Sequence, residues 1–239
     1  MTTMPMTNAR FEPGSVVTLD EPVRRYLTHA LLPGAALTTD VRLRMTGRIK
    51  IGAWLRFTAE QDFHALEFEW RARAGLGAVN PLHVVDRYAA GAGTMTGKLF
   101  DRFTFLHATD ANTTRAAAGR GAAESIWVPA SLLPDQGVSW RAENDDVIVA
   151  SFAAPPEHPD LRLRIDEHGA PRSVSIERWG HLGQKAFGYM PFGGDISAER
   201  RFGDTVLPSQ LTVGWWYGTP RYKPFFTATI TDAIPLAGA

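Results

Sequence analysis

The chain has 239 residues, with 25 Lys+Arg balanced by 25 Asp+Glu, and no cysteine. Zero formal net charge, with no basic stripe interleaved with aromatics, speaks against nucleic acid as a partner. The missing thiols exclude cysteine nucleophiles, Cys-ligated zinc and iron–sulfur clusters, and they fit a reducing compartment. At this length folding buries roughly 70% of the unfolded surface, so the chain can be stable without disulfides.

The opening MTTMPMTNARFEPG has no cationic start followed by an apolar core, as a secretory signal would. No apolar run approaches the roughly 18 residues that span a bilayer. The expected location is the cytoplasm, and residues 1–14 are expected to be flexible. The first element is a helix over 21–32, with Asp20 as N-cap, Pro22 in the first turn and Pro33-Gly34 as the stop. Val23, Tyr26, Leu27, Ala30 and Leu31 recur at helical spacing, so this helix should lie on a sheet.

After it the period changes to two. Along 41–51, Val41, Leu43, Met45, Ile49 and Ile51 alternate with Arg42, Arg44, Arg48 and Lys50. The segments 54–63 and 66–73 repeat the pattern, with Phe57, Ala59, Phe63, Phe68 and Trp70 against Arg56, Glu60, Asp62, Glu67 and Arg71. One apolar and one charged face on successive strands describe an antiparallel meander. Further strands are expected at 82–89, 93–100, 102–108, 137–141, 147–153, 161–166, 172–179, 196–202, 209–217 and 225–231. Asn80-Pro81, Asn144-Asp145, Gly193-Gly194, Gly203-Asp204 and Thr219-Pro220 are among the turn signals between them. The Ala-rich stretch 113–125 should form a short helix or helical turn between the two strand-rich halves, weakened by Gly119 and Gly121. There is no internal repeat and no linker, so the expectation is a single domain over 1–239.

Several phrases together resemble one uncharacterised bacterial family known only as a domain of unknown function. They are EPVRRYL (21–27), G-x-I-x4-W-x2-F-x-A-x-Q (47–61), FEW-x-A (68–72), D-x-Y-x2-G-x-G-x-M (86–95), AES-x-W-x-P-x-S-LL (123–133) and LPS-x-L-x-V-G-W (207–215). The resemblance implies an architecture similar to bacterial lipoprotein carriers, in which a strongly bent antiparallel sheet half-encloses a hydrophobic cavity. It assigns no activity. The chain departs from a common family form in reading GRGAAES where many members carry an Arg-Tyr-Leu run before the Glu. The expected fold is therefore mainly β with minor α: a strongly curved antiparallel sheet, half-barrel or open barrel, with an N-terminal and a mid-chain helix.

Glu124 is the residue that fits its surroundings least, a carboxylate among Ala122, Ala123, Ile126 and Trp127. Apolar neighbours would raise its pKa and suit it to acid/base catalysis. The structural alternative is a carboxylate locked to backbone amides beside a bend at Pro129 or to an arginine, with Arg71, Arg87, Arg102 and Arg178 as the candidates. Asp86 and Arg87 could form a buried ion pair. Trp70, Arg71, Arg87, Trp127, Arg178, His181, Tyr189, Trp215, Tyr217 and Tyr222 are the candidate lining of a binding pocket, with core packing as the plain reading of the aromatics. His29, His64, His83, His107, His158, His168 and His181 show no HxH, HxxxH or HExxH spacing, so no metal site is expected. Gly91-Ala92-Gly93 precedes no helix, and no Rossmann, P-loop or G-x-S-x-G pattern occurs, so no cofactor is expected.

Two functions from different classes follow. One is a binder of an apolar small molecule or lipid inside the curved sheet. The other is a cofactor-free lyase, isomerase or cyclase in the same cavity with Glu124 as its acid/base group. A third, weaker option is an interaction module that binds a protein along an exposed sheet edge.

Overall fold

The computed structural model describes residues 9–76, 79–182 and 184–236. Its helices are α1 (Glu21–Ala30) and α2 (Ala111–Glu124). Its strands are β1 (Asp40–Ile51), β2 (Ala53–His64), β3 (Glu67–Leu76), β4 (Val79–Ala89), β5 (Ala92–Leu99), β6 (Phe103–Ala108), β7 (Ser139–Asn144), β8 (Val147–Ser151), β9 (Asp160–Ile165), β10 (Pro171–Gly180), β11 (Gly188–Phe202), β12 (Thr205–Trp215) and β13 (Lys223–Pro235). Each strand expected from the alternating pattern has a counterpart, with ends displaced by a few residues in most cases.

The strands form one antiparallel sheet in the order β6-β5-β4-β3-β2-β1-β13-β12-β11-β10-β9-β8-β7. The chain starts at the centre and meanders out to one edge. It then reaches the opposite edge and meanders back until β13 pairs with β1. The two edge strands do not join, so the curved sheet stays open. Residues 109–138 must therefore carry the chain from edge to edge, and they do so across the inner face. That crossing comprises α2 and the 3-10 turns Ser125–Trp127, Pro129–Leu132 and Pro134–Gln136. The inner-face side chains, α1 and the crossing segment bury one continuous apolar core.

Helix α1 uses the expected stripe, with Val23, Tyr26, Leu27 and Ala30 buried. It is shorter than the expected 21–32, because Leu31 is extended and bridges to Thr205. Asp20 does not cap it with its side chain. Its carboxylate accepts instead from the Ala142 amide at 2.9 Å, tying the helix start to β7. Residues 1–8 of the stretch expected to be flexible lie outside the described residues. From there the chain is tied down: the Phe11 amide donates to Ala35 O at 2.8 Å and its ring is fully buried.

Helix α2 is longer than a helical turn despite its glycines, and packing explains why. A Cβ on Gly121 would lie 2.4 Å from Leu66 O, so this glycine lets the helix backbone rest on the β2–β3 hairpin. Contact with the sheet overrides the weak helix propensity. Gly193-Gly194, expected as a turn, lies instead within the continuous strand β11. A Cβ on Gly194 would come 1.8 Å from Thr212 O, and one on Gly193 would come 2.2 Å from Val174 O. The pair permits close approach of both neighbouring strands, a device for bending a sheet.

On the outer face the charges of the meander pair across strands. Asp62 accepts from Arg42 Nε at 2.6 Å and from Arg71 Nη2 at 2.8 Å; Arg71 Nη1 also reaches Glu69 at 2.6 Å, and Arg87 lies 3.7 Å from Glu69. Arg71 and Arg87 therefore belong to this outer ladder and not to the lining of the inner-face cavity. Alternation decides it, since Arg71 points away from the face that takes Trp70. The Arg42 hydrogen bond, joined by Arg71, outweighs burial and holds the Asp62 carboxyl down at about 2. A carboxylate depressed in the folded state stabilises it above the unfolded value of about 3.9, and that stability is lost as pH falls towards about 2. Asp62→Asn should therefore cost about 1–2 kcal/mol at neutral pH, allowing for the partly exposed arginines, and flatten the acid limb of stability between about pH 5 and 2. Urea unfolding across that range measures it; an unchanged acid limb would count against the ladder.

Candidate functional site

The curvature brings the inner faces of β3–β6 opposite those of β10–β13, and the crossing segment roofs the space between them. A cavity of about 380 Å³ remains, within the range of roughly 300–1,000 Å³ typical of small-molecule sites. One wall carries Trp70, Val84, Met95 and Leu106. The other carries Val174, Phe192, Leu211, Val213, Phe225 and Phe226. Arg120, Ala123, Glu124, Ile126 and Trp127 come from the roof.

Strand register builds the polar part of the site. Gln61 stands opposite Trp70, and Trp70 opposite Asp86, so all three share one row on the inner face. Helix α2 crosses that row and lowers Arg120 and Glu124, one turn apart, onto it. Arg120 Nε donates to Glu124 Oε1 at 2.8 Å, and its Nη1 donates to Asp86 Oδ2 at 2.7 Å. Gln61, fully buried, donates its amide to Glu124 Oε2 at 2.6 Å. The Arg120 guanidinium also lies 4.7 Å from the Phe68 ring centre and 5.0 Å from that of Trp70. Burial pulls the Arg120 pKa down, but Glu124 and Asp86 together more than offset this and hold it above its ordinary value. Arg120 is thus a permanent cation clamped between two carboxylates.

Arg178 is held differently. Its Nε donates to Ala116 O at 3.1 Å, and its guanidinium carbon lies 4.6 Å from the Phe192 ring centre and 5.3 Å from that of Trp215. Among the described residues it forms no ion pair with any carboxylate. Burial, with repulsion from Arg120 second, pushes its pKa down to about 10, so it remains charged at neutral pH.

Of the residues expected from sequence, Glu124, Trp70, Trp127 and Arg178 line this cavity. Trp215 stands behind Arg178, 5.2 Å from Phe192. Trp127 also fixes the roof, donating Nε1–H to Pro208 O at 3.0 Å. The rest lie elsewhere. Tyr189 and Tyr217 line an open outer-face depression with Arg141, Glu143 and Arg162. Tyr222 packs on Tyr217 at 5.3 Å and donates to Thr212 O. His181 is exposed past the end of β10, 5.0 Å from Phe187. The period of two explains the misplacement, because Tyr189 pairs with Trp179 on the face opposite Arg178. The partner of Glu124 is none of the four arginines expected but Arg120, and the partner of Asp86 is Arg120 rather than Arg87.

A family model described as a family of unknown function, DUF6920, matches residues 17–234. The chain belongs to this family. Among solved structures, this DUF6920 chain is similar to a DUF1329 family protein from Desulfovibrio piger, at 11% identity and a TM-score of 0.47, covering 84% of this chain and 88% of that one. It is also similar to a putative outer membrane lipoprotein-sorting protein domain from Vibrio parahaemolyticus, at 8% identity and a TM-score of 0.46, covering 84% and 86%. No curated protein matches the chain.

In this DUF6920 member the cavity offers a long apolar surface and one concentrated polar end. Both oxygens of Glu124 accept hydrogen bonds, and Asp86 is engaged by the same arginine. The cluster is a set of mutually satisfied charges whose chief physical effect is to hold the helix to the sheet. Among the described residues, Arg178 and the exposed Lys50 are the charged groups of the lining that retain hydrogen-bonding capacity.

Proposed function

We propose that the chain binds an apolar small molecule or the acyl chain of a lipid in the cavity beneath α2. The observation that carries this reading is an apolar space of about 380 Å³ left between two aromatic and aliphatic walls. Protein interiors are otherwise close-packed, and a void of this size forfeits contacts that a ligand would restore. Burying ten methylenes supplies roughly 8 kcal/mol, of which the cost of association consumes a part. The acid/base role expected for Glu124 has no observation in its favour, since both of its oxygens are already engaged.

Trp70 and Trp127 line the cavity and report on its filling. Titration with dodecanol should give a saturable change in tryptophan fluorescence at one molecule per chain. No saturable change up to the solubility limit of the alcohol would reject the reading.

A further inference from the structure

The hydrogen bonds of the cavity are unevenly shared. Asp86 and Glu124 both go to Arg120, and neither reaches Arg178. An arginine has five N–H donors and no acceptor. Arg178 uses Nε–H on Ala116 O, and its two terminal nitrogens have no protein acceptor among the described residues. They belong to a guanidinium that lines the cavity between Phe192 and Trp215, part of its surface still accessible. Leaving the terminal nitrogens of a partly desolvated cation without an acceptor is costly, and the remedy with the best geometry is a planar, bidentate anion.

We propose that Arg178 receives the carboxylate of a single-chain amphiphile whose hydrocarbon tail fills the cavity. This rests on the binding reading above and names the ligand class. The tail would lie against Val174, Leu211, Val213 and Phe226, which share the space with Arg178. A single chain of about a dozen carbons fits a space of about 380 Å³. Phe192 and Trp215 flank the guanidinium at 4.6 Å and 5.3 Å, and the Ala116 carbonyl fixes its Nε edge, which leaves the terminal nitrogens for a ligand. A cationic headgroup would meet Arg178 with like charge. A hydroxyl would supply an acceptor without charge, and charge-assisted bonds are roughly twice as strong as neutral ones.

The test compares three twelve-carbon probes on the wild-type chain: dodecanoate, dodecanol and dodecyltrimethylammonium. Calorimetric titration at about pH 8 keeps the carboxylate ionised. Dodecanoate should bind at least about tenfold more tightly than dodecanol, and the ammonium probe more weakly than either. Arg178→Gln should bring the dodecanoate affinity down to that of the alcohol. Arg178→Lys, which keeps the charge without the fork, should retain part of the preference. Equal affinity for dodecanoate and dodecanol in the wild type overturns the headgroup assignment and leaves apolar binding standing. Failure of all three probes to bind overturns the binding reading itself. The wild-type ranking and Arg178→Lys decide the matter even if Arg178→Gln does not fold.

Discussion

Arg120→Met is expected to lower the thermal midpoint by roughly 10 °C. The substitution keeps an unbranched apolar stem but removes the guanidinium that lies over Phe68 and Trp70. Asp86 and Glu124, with side chains only 4% and 16% exposed, then face each other without a counter-charge. Breaking a buried ion pair by removing one partner costs about 3–5 kcal/mol, and a chain of this length loses about 2–4 °C per kcal/mol. The cost lies in the uncompensated carboxylates rather than in a lost attraction. Combining Arg120→Met with Asp86→Asn and Glu124→Gln should therefore recover most of the loss. Differential scanning calorimetry of the single and triple variants measures both effects. A single variant within a degree of wild type would mean that the clamp does not hold α2 to the sheet.

Val213→Trp is expected to abolish ligand binding without destabilising the chain. Val213 projects from β12 into the cavity opposite the Trp70 wall. An indole there occupies the space that the ligand would take and makes the dispersion contacts that the void now lacks. Filling existing space differs from overpacking a dense core, which costs typically 1–3 kcal/mol. The affinity for dodecanoate should fall by at least about tenfold, with the thermal midpoint equal to or above that of wild type. A variant that binds as well as wild type would place the ligand elsewhere.

The strand pattern made the sheet legible before its topology was known. Alternation along 41–51, 54–63 and 66–73 assigns Trp70 and Phe63 to one face and Arg42, Asp62 and Arg71 to the other, and the register confirms it. Applied consistently, the same rule separates Arg71 from Trp70 and Arg87 from Asp86, and would have kept both arginines out of the pocket. The phrases that resembled the family carry the core of the site: Gln61 ends one, Trp70 lies in another, Asp86 begins a third and Glu124 lies in a fourth. Arg120 was readable as well, because it precedes Glu124 by four residues on a helix. Its importance was hidden because Gly119 and Gly121 argue locally against the helix that makes the spacing meaningful. What sequence could not supply was the order of the two halves of the sheet. Only the edge-to-edge crossing places α2 over the row of Gln61, Trp70 and Asp86, and brings Arg178 from a strand more than fifty residues later into the same cavity.

Native mass spectrometry of the wild-type chain and of Val213→Trp, both purified from the cells that naturally make the protein, tests cavity binding most directly. The expected result is one amphiphilic molecule per wild-type chain, released on denaturation, and none on the variant. A wild-type chain carrying nothing, or the same molecule retained by both, would contradict it.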